Sequence, residues 1–270
     1  MTTSDEGTAG IALLLPGQGS QHVGMGSDLA EAFPEAADVF RRAEDALGIP
    51  LRRLCWEGPA EDLTRTENAQ PAILTHSYAV WRVLPASFRR RVVVAAGHSL
   101  GEFTAYLVAG SLQLVDALRL VRRRGELMAR SAGEGTMAAV LGLDDEAVRD
   151  ACRRVEDGVV VPANFNAPGQ VVISGTSAAV ERAGEAALEM GARRVVSLDV
   201  SGAFHSPLMR VAHTGLEAAL EDIPLERPAF PVVANASAEA VTDPDRARSL
   251  LLRQLTSPVR WTEGVARMTA

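Results

Sequence analysis

The sequence predicts an α/β protein, a large domain on a parallel sheet with a small domain of βαββαβ order inserted into it. Three observations carry this expectation. The buried-strand run IALLLPGQGSQ breaks at Pro16 and Gly17 and leads into a helix-like pattern. A second apolar run, VVVAAG, has the continuous β-branched character of a strand buried on both faces, and another helical pattern follows it. Beyond SAGEG, at 131 to 135, strand-like and helix-like segments then alternate in ferredoxin-like order.

Taken in order, the first strand is followed by a helical pattern through about Leu47. Residues 68 to 84 place Ile73, Leu74, Ala79, Val80, Val83 and Leu84 at helical spacing. After VVVAAG one long helical pattern runs from about Gly101 to Arg130. TMAAVLGL reads as a strand, DDEAVRDACRRV as a helix, VVVPANFN and QVVISG as two strands around Ala167-Pro168-Gly169, SAAVERAGEAALEMG as a helix and RRVVSLDV as a strand. SPLMRVAHTGLEAALEDI resumes helix, FPVVANAS a strand, and DRARSLLLRQL and WTEGVARMT are helices. The division is thus 1–131 and 201–270 for the large domain and 132–200 for the small one.

Composition narrows the function. The chain has 270 residues, 47% of them hydrophobic and 23% charged, enough for a substantial core or a two-lobed domain. A net charge of −7 and only 4% aromatic residues argue against nucleic acid as a partner. Cys55 and Cys152 stand in no CxxC or Cys/His cluster, which argues against a disulfide framework and against zinc. The start MTTSDEGTAG lacks the basic residues of a signal peptide, and no apolar run approaches the ~18 residues that span a bilayer. The expected location is the cytoplasm, without a membrane.

Gly97-x-Ser99-x-Gly101, between a strand and a helix, matches the nucleophile elbow, in which glycines permit a sharp turn that lifts the serine hydroxyl clear of the sheet. The competing reading is a βα turn with serine as helix N-cap. An activated serine needs a base, and the chain has five histidines, His22, His76, His98, His205 and His213. His76 and His213 lie within helical patterns, and His98 adjoins the serine on a diverging turn. His205, in SGAFHSPLM, sits where a strand ends and a helix begins, the place where α/β folds present catalytic groups. Asp199 is one candidate to orient the imidazole, and an amide or backbone carbonyl serves equally well.

PGQGSQHVGMG is not a dinucleotide fingerprint, because His22 occupies the third glycine position. Its glycine-rich turn instead brings a backbone N–H towards the elbow, as the second oxyanion donor beside the N–H of Leu100. Arg122-Arg123-Arg124 lies near the end of a helix, where a charge run is ordinarily a solvated face. Consecutive helical residues point about 100° apart, so one or two at most face inward. An inward guanidinium near a nucleophilic serine suits a substrate carrying a carboxylate.

Together GQGSQ, GHSLGE, Arg124-Gly125, NFNAPGQVVISG, GAFHSPLM and QLTSPVRW resemble, in order and over essentially the whole chain, the malonyl-CoA:acyl-carrier-protein transacylases of fatty-acid synthesis and the related polyketide acyltransferases. The resemblance implies an α/β-hydrolase-like domain with a parallel sheet core and a ferredoxin-like insert. It implies ping-pong transfer of malonyl from malonyl-CoA to the phosphopantetheine thiol of an acyl carrier protein, in fatty-acid or polyketide synthesis. Ser99 is then the nucleophile and His205 the base, with the N–H groups of Gln18 and Leu100 as oxyanion hole and Arg124 gripping the carboxylate. Asn166 and Gln254 match residues that line the site and support the histidine. Phe204 resembles the malonyl-selecting form of its motif, although Gly202 stands where the synthase-embedded enzymes commonly carry histidine.

No metal or bound cofactor is implied, and the expected state is a monomer. The family also continues past PVRWTEGVARM into a strand with a GPG-like turn and a closing helix, whereas this sequence stops at Ala270. A hydrolase of the same fold, or a catalytically idle subunit that docks carrier protein, are the competing functions. Because carrier proteins are acidic, docking calls for a local basic patch, for which Arg182, Arg193 and Arg194 of the small domain are candidates.

Overall fold

The computed structural model describes residues 10–269 apart from 132, 134 and 201. The expected domain limits at 132 and 201, the first nine residues read for targeting, and Ala270 therefore fall outside the described residues. Strands β1 (Ile11–Leu15), β2 (Val92–Gly97), β3 (Gly135–Leu141), β4 (Val160–Ala167), β5 (Gln170–Thr176), β6 (Arg194–Ser197), β7 (Val232–Val233) and β8 (Ala240–Val241) make two four-stranded sheets, ordered β1-β2-β7-β8 and β4-β5-β3-β6.

In the first sheet β2 lies parallel to both β1 and β7, and only the two-residue β8 runs antiparallel. Parallel neighbours need long crossovers, which the helices between β1 and β2 supply. The helical pattern up to Leu47 is broken into Ser27–Ala32 and Pro34–Leu47. Phe33 is extended there, and Pro34 opens the next helix at a position where its missing N–H costs nothing. The pattern from 101 to 130 is likewise divided, into Leu100–Val108 and Leu114–Arg130, because Gly110 turns the chain at φ 76°.

Leu100–Val108 is buried along its whole length, which makes it the central helix of the large lobe. β2 departs from the expectation of a strand buried on both faces. Val93 is 55% exposed, and Leu14 of the neighbouring β1 is 52% exposed. β7 is also shorter than FPVVANAS implied, because the chain turns away after Val233.

The second sheet has every neighbouring pair antiparallel in the ferredoxin-like order. Side chains alternate across it. Ala138, Val140, Phe165, Val171 and Ile173 pack with Val148 of Asp145–Arg153 and Ala183 of Ser177–Glu189, closing the insert's own core. Met137, Ala139 and Val172 face the other way and join the main core.

The chain beyond helix Pro244–Gln254 ties the two sheets together. Val259 lies beside Asn164 in a parallel bridge, its N–H donating to Ala163 O at 2.8 Å and its carbonyl accepting from Phe165 N at 2.9 Å. The next residue, Arg260, donates its N–H to Asn235 O at 2.9 Å, just past β7. Among the described residues no helix is long and apolar enough to cross a membrane.

Candidate active site

The elbow is enforced by close backbone packing. A Cβ on Gly97 would stand 1.9 Å from the Gly101 carbonyl, and one on Gly101 would stand 2.4 Å from Leu15 O. No side chain fits at either position, and the turn between them holds Ser99 at φ 50°, ψ −103°. Ser99 precedes the helix but makes no capping bond with its side chain. Its Oγ instead lies 2.8 Å from Nε2 of His205.

His205 sits on the loop after β6, at φ 56°, with Nδ1 2.9 Å from the main-chain oxygen of Gln254. Burial, reinforced by the nearby Arg124 charge, pushes its pKa down to about 3. The ring is therefore neutral near pH 7. Since Gln254 O only accepts, Nδ1 carries the proton and Nε2 offers its lone pair to the Ser99 hydroxyl. The orienting group is thus a backbone carbonyl. Asp199 lines the same cavity but has no bond to the imidazole.

His98, next to the serine, points elsewhere. Its Nε2 lies 2.9 Å from Asn166 Oδ1 and its ring packs 5.4 Å from Trp261. Burial lowers its pKa as well. Asn166 accordingly steadies His98, while Gln254 supports His205.

Of the three consecutive arginines only Arg124 faces inward. Arg122 reaches Glu126 at 3.0 Å and Asn68 at 2.6 Å, and Arg123 is exposed beside Glu126. Arg124 is 1% exposed, and its guanidinium stacks 5.2 Å from the Phe103 ring. Nη2 donates to Ser99 Oγ at 3.1 Å and to Gln254 Oε1 at 3.0 Å, and Nη1 donates to Gln70 Oε1 at 2.7 Å. Burial lowers its pKa to about 10, so it stays cationic at neutral pH. Gly125 lets this helix approach, because a Cβ there would fall 2.6 Å from Glu67 Cα and 2.8 Å from Thr66 O.

Gln254 is the hub of the site. Beyond its bonds to His205 and Arg124, its Nε2 donates to Ser99 O at 3.0 Å and to Glu102 Oε2 at 2.6 Å. Glu102 also accepts from Asn235 N at 3.1 Å. Burial lifts its pKa to about 7, against those two hydrogen bonds and the Arg124 charge. The Asn235 side chain clamps the elbow, accepting from Ser99 N at 2.7 Å and donating to Gly97 O at 2.8 Å.

Glu102, Asn235 and Gln70 are site residues that the motif reading passed over. Asn235 carries a signal in hindsight, since it lies just beyond the carboxyl end of a parallel strand, where open α/β sheets place function.

A cavity of about 350 Å³ opens over Ser99 and His205. Gln18 and Phe204 line it from the large lobe, Met137, Asn166 and Val172 from the second sheet. A wider cavity of about 590 Å³, lined by Glu61, Arg65 and Glu67, adjoins it through Gln18, Asp199 and Val200. Gln18 lies in the turn after β1, and Leu100 opens the elbow helix, where backbone N–H groups lack intrahelical acceptors. Among the described residues no group of three or more His, Cys, Asp or Glu could hold a metal ion.

The arginines suggested for docking are spread along the insert, with Arg193 beside Gly142 next to Arg194. Arg182 donates to Asp157 O beside Gly158, at the end of the sheet where Gly135 pairs with Thr176. Arg194 pairs with Leu141 at the other end of β3, roughly 20 Å away at the usual rise per residue.

Residues 13–270 match the acyl transferase domain family. The malonyl CoA-acyl carrier protein transacylase of Haemophilus influenzae is 48% identical over 96% of this chain and 84% of its own length. That of Bacillus subtilis is 45% identical over 96% and 83%. An acyl carrier protein S-malonyltransferase from Vibrio cholerae superposes with a TM-score of 0.91 at 44% identity, covering 96% of this chain and 85% of that one. The malonyl-transacylase PlMCAT, solved in complex with the type II PKS acyl-carrier protein AntF, gives 0.93 at 44% identity, covering 97% and 85%. By this match, and by an elbow serine paired with histidine beneath a buried arginine, the chain belongs to the acyl transferase domain family, among the malonyl CoA-acyl carrier protein transacylases.

Proposed function

We propose that the chain moves a malonyl group from malonyl-CoA to the phosphopantetheine thiol of an acyl carrier protein through a malonyl ester on Ser99. One observation carries this reading. Ser99 Oγ lies between a neutral imidazole acceptor at 2.8 Å and a buried guanidinium donor at 3.1 Å, which joins a nucleophile to a reader of carboxylates.

In the first half-reaction the Ser99 hydroxyl gives its proton to His205 Nε2 and Oγ attacks the thioester carbon. The oxyanion is held by the N–H groups of Gln18 and Leu100. Collapse breaks the C–S bond, and the CoA sulfur leaves with the proton from His205. In the second half the carrier thiol gives its proton to His205 and attacks the ester, and Ser99 Oγ recovers that proton as it departs. The imidazolium formed in each half is stabilised by the Gln254 carbonyl at Nδ1. Nucleophile, base and cation are all side chains, so the cycle calls for no bound cofactor or metal.

Acylation also frees the guanidinium. An ester oxygen accepts hydrogen bonds more weakly than a hydroxyl, so the Nη2 N–H directed at Oγ is released, and Nη1 has a second N–H besides the one given to Gln70. Those two form the fork that a malonyl carboxylate takes up. Phe204, 5% exposed in the cavity wall, crowds the position of an α-methyl and favours malonyl over methylmalonyl. The adjoining wider cavity gives room for the pantetheine arm. The working unit is read as a monomer, and two buried free thiols, Cys55 and Cys152, suit a reducing cytoplasm.

Hydrolysis would use the same serine and histidine with water in place of the carrier thiol. Arg124 favours transfer, because a hydrolase that clears stray acyl groups has no need to select carboxylates. Incubation with a panel of acyl-CoAs, read by intact mass, tests the reading: a malonyl adduct of ~86 Da is expected on Ser99. Rapid discharge of that adduct by holo carrier protein, with slow discharge in buffer, marks a transferase. Equal discharge in both marks a hydrolase.

A further inference from the structure

An unbroken line of side-chain hydrogen bonds runs from the turn after β1 to the buried guanidinium, and Thr66 is its pivot. The Thr66 hydroxyl donates to Gln18 Oε1 at 2.8 Å. The same oxygen accepts from Gln70 Nε2 at 3.1 Å, one helical turn on, and Gln70 Oε1 accepts from Arg124 Nη1 at 2.7 Å. Thr66 is 2% exposed and Gln70 fully buried, so water does not stand in for either partner. We infer that Thr66 is a positioning residue for acyl-group selection, acting on Arg124 through Gln70. The inference rests on the reading of Arg124 as the group that binds the malonyl carboxylate.

The argument is one of hydrogen-bond polarity. Gln70 faces Arg124, which only donates, so its Oε1 must point there and its NH2 must point back along the helix. The Thr66 hydroxyl, with its proton committed to Gln18, meets that NH2 with a lone pair. Met128 Sδ, at 3.3 Å, is the other acceptor of Nε2 and a weak one. Without the hydroxyl the Gln70 NH2 keeps only that weak acceptor, so the amide is no longer anchored from behind and the Oε1 it presents to Nη1 is free to shift. Arg124 would then lose one of the two amide oxygens that hold it, the other being Gln254 Oε1. Because Gln18 belongs to the turn that supplies an oxyanion N–H, the same hydroxyl keeps carboxylate reader and oxyanion hole in one register.

The test is Thr66→Val, which keeps shape and removes both hydrogen bonds, beside Thr66→Ser, which restores them. In self-acylation, Thr66→Val is expected to lower the malonyl-over-acetyl preference by about tenfold, with acetyl loading changed far less, and Thr66→Ser to stay within about twofold of wild type. A crystal structure of Thr66→Val is expected to show the Gln70–Arg124 bond broken or the guanidinium displaced by about 1 Å. An unchanged preference in Thr66→Val, an equal loss in Thr66→Ser, or an undisturbed Gln70–Arg124 pair would overturn the inference. Should wild type take up no malonyl, the reading of Arg124 fails while the crystal comparison still decides the role of Thr66. Thr66→Ala replaces the valine variant if the latter does not fold.

Discussion

Ser99 and His205 meet, Oγ to Nε2, at 2.8 Å from backbones that both lie at positive φ, 50° and 56°. Neither is glycine, so each carries a local cost of about 1–3 kcal/mol that surrounding contacts must offset. Those contacts are visible: Asn235 clamps the serine turn, and the Gln254 carbonyl holds the imidazole. Reacting atoms are thus pre-positioned at the expense of local backbone comfort.

Ser99→Ala is expected to abolish the acyl-enzyme, because among the described residues no other hydroxyl stands against His205 Nε2 in this way. His205→Ala should remain folded and load malonyl at least ~10² more slowly. His213→Ala, on the half-buried side of helix Arg210–Glu221, should load at the wild-type rate. Intact mass and rapid-quench loading read all three. A malonyl adduct persisting on Ser99→Ala would remove the nucleophile assignment.

Arg124→Ala should lower malonyl kcat/KM by ~10 to 10² or more, since the carboxylate would be left buried without a partner. Acetyl transfer needs no such partner and should be unchanged or improved. That crossover is something loss of folding does not imitate. Arg122→Ala and Arg123→Ala are the controls, since their side chains turn to Glu126. A crossover in Arg123→Ala alone, or equal losses in all three, would count against Arg124.

Asn235 bridges the two sides of the elbow. Asn235→Ala leaves the Ser99 N–H and the Gly97 carbonyl unmet in a buried setting, at about 1–3 kcal/mol. The expected result is a lower denaturant midpoint together with an acylation rate reduced at least tenfold and little change in KM. Wild-type kinetics in a destabilised variant would make Asn235 a purely structural residue.

Two buried groups give stability opposite dependences on pH. His205 ordinarily titrates at 6.5 and is held near 3, so the unfolded chain binds its proton first and stability falls as pH drops below about 6.5. Glu102 ordinarily titrates at 4.5 and is lifted to about 7, so the folded chain binds its proton first and stability falls as pH rises from about 4.5 to 7. Glu102→Gln removes only the second dependence. Urea unfolding from about pH 5 to 8 should show wild type losing stability relative to the variant, by up to roughly 3 kcal/mol across the window. A constant difference would mean that Glu102 keeps an ordinary pKa.

What the sequence revealed, and what it hid, follows from the kind of signal each feature leaves. GHSLG is legible because two glycines are demanded by backbone packing, and the run Arg122-Arg123-Arg124 because three consecutive helical residues cannot all face one way, the choice of Arg124 among them coming from the family resemblance. The continuous apolar runs of β3 and β5 made the insert's strands readable, since one face closes its own core and the other meets the large lobe. Gln70 left no such mark, and Asn235 only its place just beyond the carboxyl end of a parallel strand. Amides have neither period nor charge, and their partners lie 54 and 136 positions away in the chain. The single helix expected over 101–130 failed for a local reason, because one glycine within a helical pattern does not announce whether it turns the chain. The spread of the candidate docking arginines along the insert was hidden for a global one. Neighbourhood in sequence does not say at which end of a sheet a side chain emerges.

The short segment at Val259 and Arg260 makes the enzyme's two walls mechanically dependent. It hydrogen-bonds to β4 on one side and to Asn235 on the other, and it follows closely on the residue whose carbonyl orients His205. Shear of the insert against the large lobe therefore pulls on the elbow clamp and on the imidazole acceptor together. A cleft braced in this way resists rigid-body opening about a hinge. Heat should therefore dissolve both lobes in a single cooperative transition.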